Sequence, residues 1–157
     1  MLHPPEFDKA FATSRFLGLT FAVCLMFYLL LEEIVRARFQ PFLGFARGTD
    51  VIRLRYFGFA AAVALVIVLR IVHSRILAAA ARADGPRAVR SLFRAAVISL
   101  ALAETPALIG LVLFLLAGLN KDFYLLLFVS IVLVFMYFPR KAAWETVIER
   151  RRPVCPL

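Results

Sequence analysis

One carboxyl in this chain sits where a carboxyl is costly. Glu104 lies near the middle of Ala95 to Leu119, AAVISLALAETPALIGLVLFLLAGL, which carries no other ionisable residue. An apolar run of about 20 residues is long enough to cross ~30 Å of hydrocarbon as a helix. A bare carboxylate there is unfavourable and must protonate or find a partner, so it is a functional-site hypothesis by default. Its neighbours add polar atoms. Thr105 brings a hydroxyl, and Pro106 cannot donate to the carbonyl of Leu102, which leaves a freed carbonyl beside the carboxyl. Glu104, Thr105 and Pro106 are therefore the candidate ion-binding residues, with a proton or a cation as ligand.

A partner for Glu104 is also available in the chain. If the flanking spans form a hairpin about Asp84–Pro86, residues facing each other have numbers that sum to about 170. Glu104 then faces Val66 or Ile67, and Arg70 lies about one turn away, ~5 Å along the axis. Three readings stay open. Glu104 and Arg70 form a structural ion pair; or Glu104 is mostly protonated and exchanges a proton with an outside partner; or a protonated Glu104 donates to a carbonyl of its own helix.

The remaining chemistry is sparse. Glu32 and Glu33 end the first apolar run, and Glu32 with Arg36 has the favourable i, i+4 order, which reads as a solvated helix end. The sharper alternative is a carboxylate pair guiding ions to a path. His3 and His73 are far apart, Cys24 and Cys155 are poorly placed for a disulfide, and no CxxC or metal-spaced cluster occurs, so no metal and no cofactor is expected. There is no HExxH, no phosphate-binding glycine loop and no nucleophile–base motif. An enzyme is not expected.

The elements that would position Glu104 follow from hydropathy. The 157 residues are 63% hydrophobic with a mean hydropathy of +0.88, well above the soluble norm. Four spans are expected, at about 16–34, 56–77, 95–119 and 123–138. The fold class is all-α, an integral membrane protein of four transmembrane helices in two helical hairpins, forming one domain. Residues 1–13 read as a short, partly ordered tail, and the apolar run after it reads as a retained helix. The connection 36–55 mixes arginines with apolar residues and is broken by Pro41, Gly44 and Gly48, so it reads as a segment lying in the membrane interface or against a partner. The third span should be the most interior helix, and the fourth should face lipid or another subunit. The basic tail 139–157 should begin as a surface helix containing Trp144.

Net charge is +9, carried mostly by arginine beside the spans. Anionic lipid headgroups explain that placement, so lipids are expected partners and nucleic acid is not. Thirteen of the nineteen basic residues fall on the side holding both termini and the Asp84–Pro86 loop. The positive-inside rule then makes the N- and C-termini cytoplasmic, in a membrane expected to be the bacterial inner membrane.

Ile76 to Asn120, ILAAAARADGPRAVRSLFRAAVISLALAETPALIGLVLFLLAGLN, resembles the second half of the hairpin of rotary ATPase proteolipid (c) subunits. Ala81 and Arg82, with Asp84 and Pro86, are similar to that family's polar loop. Ala101, Glu104, Ala107, Gly110, Leu111 and Val112 are similar to its carboxyl-bearing helix. The resemblance implies that Glu104 is a proton- or sodium-binding carboxyl and that copies of the chain could form a homo-oligomer. The second span departs from the family, holding Gly58 and no other glycine where close packing would need several. The resemblance therefore implies a proteolipid-like relative and not an ordinary rotor-ring subunit. Two functions are expected from these residues. One is a small subunit of a larger membrane complex that binds a proton or cation at Glu104. The other is a non-catalytic accessory or scaffolding subunit in which Arg70 and Glu104 are a structural pair.

Overall fold

A computed structural model describes residues 5–46, 50–82 and 85–141. Its four helices are α1 (Pro5–Arg38), α2 (Val51–Arg82), α3 (Gly85–Ala117) and α4 (Asn120–Tyr137). Each is long and apolar enough to cross a membrane. All the described regular structure is helical.

The helices begin and end where local chemistry dictates, and three run beyond their apolar cores. α1 starts at Pro5, a residue tolerated in the first turn because the missing N–H has no helical partner there. The expected N-terminal tail is thus mostly helix. Phe7 shows the reason: it is fully buried against Ala80, Val89, Leu92 and Ala96 of α2 and α3. α2 starts at Val51, five residues before the expected span, because Asp50 caps it. Asp50 Oδ1 accepts from Arg53 N at 3.2 Å and the Asp50 carbonyl accepts from Leu54 N at 3.0 Å. α3 ends at Ala117, just before Gly118, whose φ of +68° suits a C-terminal cap, and Gly118 N donates to Phe114 O at 2.7 Å. Pro139 follows the end of α4. Asp84 and residues 142–157, including the expected tail helix with Trp144 and Cys155, lie outside the described residues, as does His3.

α3 is the shared helix of the bundle. It packs against α4, α2 and α1, whereas α1 and α2 have no extensive packing against each other. The pairing is therefore centred on one helix and is not two separate hairpins. Half of the α3 span is buried, compared with 39% for α4 and 17% each for α1 and α2. The expectation of an interior third span holds. The outward-facing helices are α1 and α2, and α4 is the second most enclosed. Small side chains make this possible. A Cβ on Gly110 would lie 3.2 Å from Phe123 Cα, so glycine allows α3 and α4 to approach closely. Ala103 and Ala107 are fully buried in the same core with Leu100, Phe114, Phe123 and Leu127.

The antiparallel register of α2 and α3 is visible in two places. His73 meets Ser99, and Gly58 faces Leu113. Both pairs have numbers that sum close to 170, as the hairpin reading requires.

The first connection folds back onto the bundle instead of lying free. Phe45 N donates to Leu115 O at 2.8 Å and Ala46 N to Leu116 O at 3.1 Å, so the chain satisfies two carbonyls that the end of α3 would otherwise leave unpaired. Phe39, Phe42 and Phe45 form a ring cluster, and Phe42 reaches Phe114 of the core at 4.9 Å between centroids. Leu43 and Phe45 still present apolar surface outward. At the same end, Arg55 Nε of α2 lies 2.9 Å from the buried Asp122 at the start of α4.

Candidate functional site

Glu104 stands in the second half of α3, inside the bundle and only 7% exposed. Its carboxyl is met by α1. Tyr28 Oη donates to Glu104 Oε1 at 2.5 Å, a short contact. Tyr28 sits in the longest apolar run of α1, where its ring packs against the core and its hydroxyl needs a polar partner. Arg70 does not take that role. It is exposed on α2, and no ion pair joins it to Glu104 among the described residues. The register expected for α2 and α3 is present, yet the long arginine side chain faces outward. Val66 and Leu69 of α2 pack in the core around Leu100 and Ala103 instead.

Ser130 of α4 bonds to the backbone on either side of Pro106. Pro106 is fully buried, and the next amide, Ala107 N, donates to Ser130 Oγ at 2.8 Å. Ser130 Oγ in turn donates to the Glu104 carbonyl at 3.5 Å, the long end of such contacts. Thr105 does not join the carboxyl: its hydroxyl donates to Ala101 O at 3.0 Å on its own helix. The structure thus assembles Glu104, Tyr28, Ser130 and the Pro106 turn, and leaves Thr105 and Arg70 outside. Replacing Ser130 by valine should leave the buried Ala107 N–H without an acceptor. The expected loss is about 1–2 kcal/mol of bundle stability, read by denaturant unfolding in micelles.

Two further polar groups flank the Glu104 site. Toward the Arg140 end, His73 Nδ1 lies 2.8 Å from Ser99 Oγ, and the imidazole meets the Tyr137 ring edge-on at 4.7 Å. Ser99 precedes Glu104 by five residues, ~7.5 Å along α3. A cleft of about 450 Å³ opens here between His73, Leu77, Leu92, Tyr137 and Arg140.

Toward the other end, Glu32 is fully buried, one turn beyond Tyr28 on the same face of α1. Tyr124 Oη of α4 lies 2.8 Å from Glu32 Oε2 and 2.9 Å from Glu33 Oε1. Arg36 binds Glu33 through both carboxylate oxygens, at 2.9 and 3.1 Å, and not Glu32. The expected solvated Glu32–Arg36 pair is thus replaced by a buried carboxyl and a surface Glu33–Arg36 pair. From α4, Tyr124 lies against Glu32.

Tyr28, Tyr124 and Ser130 escape a reading that looks only for charges. The available signal was spacing: Tyr28 and Glu32 are four apart, on one face of α1, at the end of its apolar run from Phe21 to Leu31. No group of three His, Cys, Asp or Glu side chains suited to a metal ion occurs among the described residues. The chain matches no family model, no curated protein and no solved structure.

Proposed function

We propose that this protein is a small integral-membrane subunit of a larger complex, built as four transmembrane helices, and that it binds a proton or a monovalent cation at Glu104. One observation carries the reading: a carboxyl enclosed in the middle of an apolar bundle is held by a neutral hydroxyl, that of Tyr28, with no cationic side chain paired to it among the described residues. An arginine partner would hold the carboxylate permanently charged, whereas a hydroxyl donor leaves room for the group to gain and lose a positive ligand. Thr105 and Pro106 contribute by shaping the turn, and the ligand oxygens come from Glu104 with Tyr28. The resemblance to proteolipid subunits around Glu104 agrees with this chemistry. With thirteen of nineteen basic residues on one side, both termini are cytoplasmic, in a membrane we take to be the bacterial inner membrane, and anionic lipids surround the arginine-rich end.

The second reading is an accessory subunit in which the Tyr28–Glu104 bond only clamps α1 to α3. It has support in the position of that bond, which ties the sparsely packed α1 to the central helix. One experiment separates the two. Full-length protein extracted in mild detergent is treated with a membrane-permeant carbodiimide, which attacks protonated carboxyl groups, and peptides are mapped by mass spectrometry. Labelling at Glu104 that declines when proton or sodium concentration is varied to favour the competing ligand supports ion binding. Absence of any label at Glu104 across that range, with one or two copies held among unlike subunits by native mass spectrometry, overturns it in favour of the clamp.

A further inference from the structure

We infer that Glu32 is a second proton-holding carboxyl, and that the set Glu32, Tyr124 and Glu33 shares one proton more than the tyrosine hydroxyl supplies. The inference stands on its own geometry and does not depend on what Glu104 binds.

Two independent observations point to that proton. The first is a count of hydrogens. Tyr124 Oη lies within hydrogen-bond distance of oxygens from two different carboxyl groups, 2.8 Å from Glu32 and 2.9 Å from Glu33. A phenol has a single hydrogen to give. If it points to one carboxylate, the other contact sets a lone pair against a lone pair unless the carboxyl itself brings a hydrogen. The second is the far oxygen of Glu32. The side chain is fully buried, and Glu32 Oε1 has no hydrogen-bond partner among the described residues. An ionised carboxylate with one oxygen unsolvated in an apolar core is among the least favourable arrangements a protein can hold. A hydrogen on Glu32 Oε2 resolves the first difficulty, and it reduces the second by making Oε1 a neutral carbonyl oxygen instead of a buried charge.

The charged surroundings place the extra hydrogen on Glu32 and not on Glu33. Arg36 donates to both oxygens of Glu33 at the surface, so both already serve as acceptors there. From α4, Tyr124 is the group that reaches Glu32, and Asp122, two residues before it, is engaged with Arg55 of α2. From α1, Tyr28 on the same face is committed to Glu104 of α3. None of these supplies Glu32 with a positive charge. The resulting chain runs from the Glu32 O–H to Tyr124 Oη, and from the Tyr124 O–H to Glu33 Oε1. A proton leaves by concerted transfer. The Glu32 O–H bond breaks as a new bond forms on Tyr124, whose own hydrogen passes to Glu33, leaving Glu32 ionised and Glu33 neutral beside Arg36. Reversal restores the resting form. The carboxyl is therefore buried but connected to the bundle end by one hydroxyl.

Infrared spectroscopy of the full-length protein in liposomes at neutral pH tests this, because a protonated carboxyl has a carbonyl stretch separate from that of a carboxylate. The wild-type spectrum should contain a protonated-carboxyl component that is lost in Glu32→Gln and retained in Glu104→Gln and Glu33→Gln. In Tyr124→Phe the same component should remain and move to higher frequency, as its hydrogen-bond partner is gone. A Glu32→Gln spectrum that keeps the full wild-type intensity overturns the inference. So does a component abolished by sodium, which would make Glu32 a cation ligand. If Glu32→Gln fails to fold, Tyr124→Phe decides: an unshifted component overturns the proposal.

Discussion

Glu104 in a Tyr28→Phe variant is expected to react with a permeant carbodiimide several-fold faster than in the wild-type protein. The bond from Tyr28 Oη to Glu104 Oε1, at 2.5 Å, both occupies the carboxyl oxygen and closes α1 over it. Carbodiimide must reach that oxygen, so the wild-type site reacts only in the fraction of time the bond is open. Side-chain hydrogen bonds between membrane helices contribute on average ~0.6 kcal/mol and at most ~1.7 kcal/mol. The short distance places this one near the upper limit, and ~1.4 kcal/mol corresponds to about a tenfold change in an equilibrium. Labelling rates measured by peptide mass spectrometry give the answer directly. Equal rates in the two proteins would mean that the hydroxyl does not guard the carboxyl. Tyr28→Phe keeps the ring and its core packing, so a large loss of helicity is not expected alongside.

Replacing Gly44 by valine is expected to destabilise the bundle by about 3 kcal/mol or more, the largest stability effect in the connection between α1 and α2. Gly44 has a φ of +89°, a conformation that costs an L-residue roughly 1–2 kcal/mol and a β-branched one more. There is also no room. A Cβ would lie 2.6 Å from the carbonyl carbon of Leu116 and 2.7 Å from Ala117 Cα, both backbone atoms that cannot swing aside. The connection would have to lift from α3, giving up the Phe45–Leu115 and Ala46–Leu116 hydrogen bonds at about 1 kcal/mol each. Phe42 would leave its contact with Phe114 as well. Gly58→Ala is the control. Its Cβ would meet the tip of the Leu113 side chain, which can rotate, so the penalty should be clearly smaller. Thermal unfolding of both variants in the same detergent, followed by circular dichroism, checks the ranking. A Gly44→Val protein as stable as Gly58→Ala would show that the docked connection contributes little.

Much of the architecture was legible before any coordinates. Apolar runs of about the length a bilayer needs can hide their backbone polar groups only as helices, so the four elements and their order follow from hydropathy alone. The interior position of α3 was also readable, because a helix with a mid-span carboxyl must turn that face away from hydrocarbon. The register of α2 against α3 followed from reading Asp84, Gly85 and Pro86 as a break between the two spans. Helix ends were less legible. Pro5 and Asp50 extend α1 and α2 past their apolar cores, since caps and packing of Phe7 decide the ends and not hydropathy.

What the sequence by itself determined was therefore the helical class, the four spans and the location of one costly carboxyl, all local consequences of composition and period. The tertiary structure decided how that cost is met. Arg70 is long enough to reach Glu104 and carries the opposite charge, so the sequence pointed to it, yet Tyr28 is the partner. Choosing between them depended on which faces of α1 and α2 turn inward, and α1 brings a tyrosine while α2 brings Val66 and Leu69. The same holds for Glu32, whose burial is produced by α4 crossing α1 at Tyr124, nearly a hundred residues away in sequence. Partners of buried polar groups are set by long-range packing, because each helix satisfies its own backbone and leaves its side chains to whichever neighbour the bundle supplies.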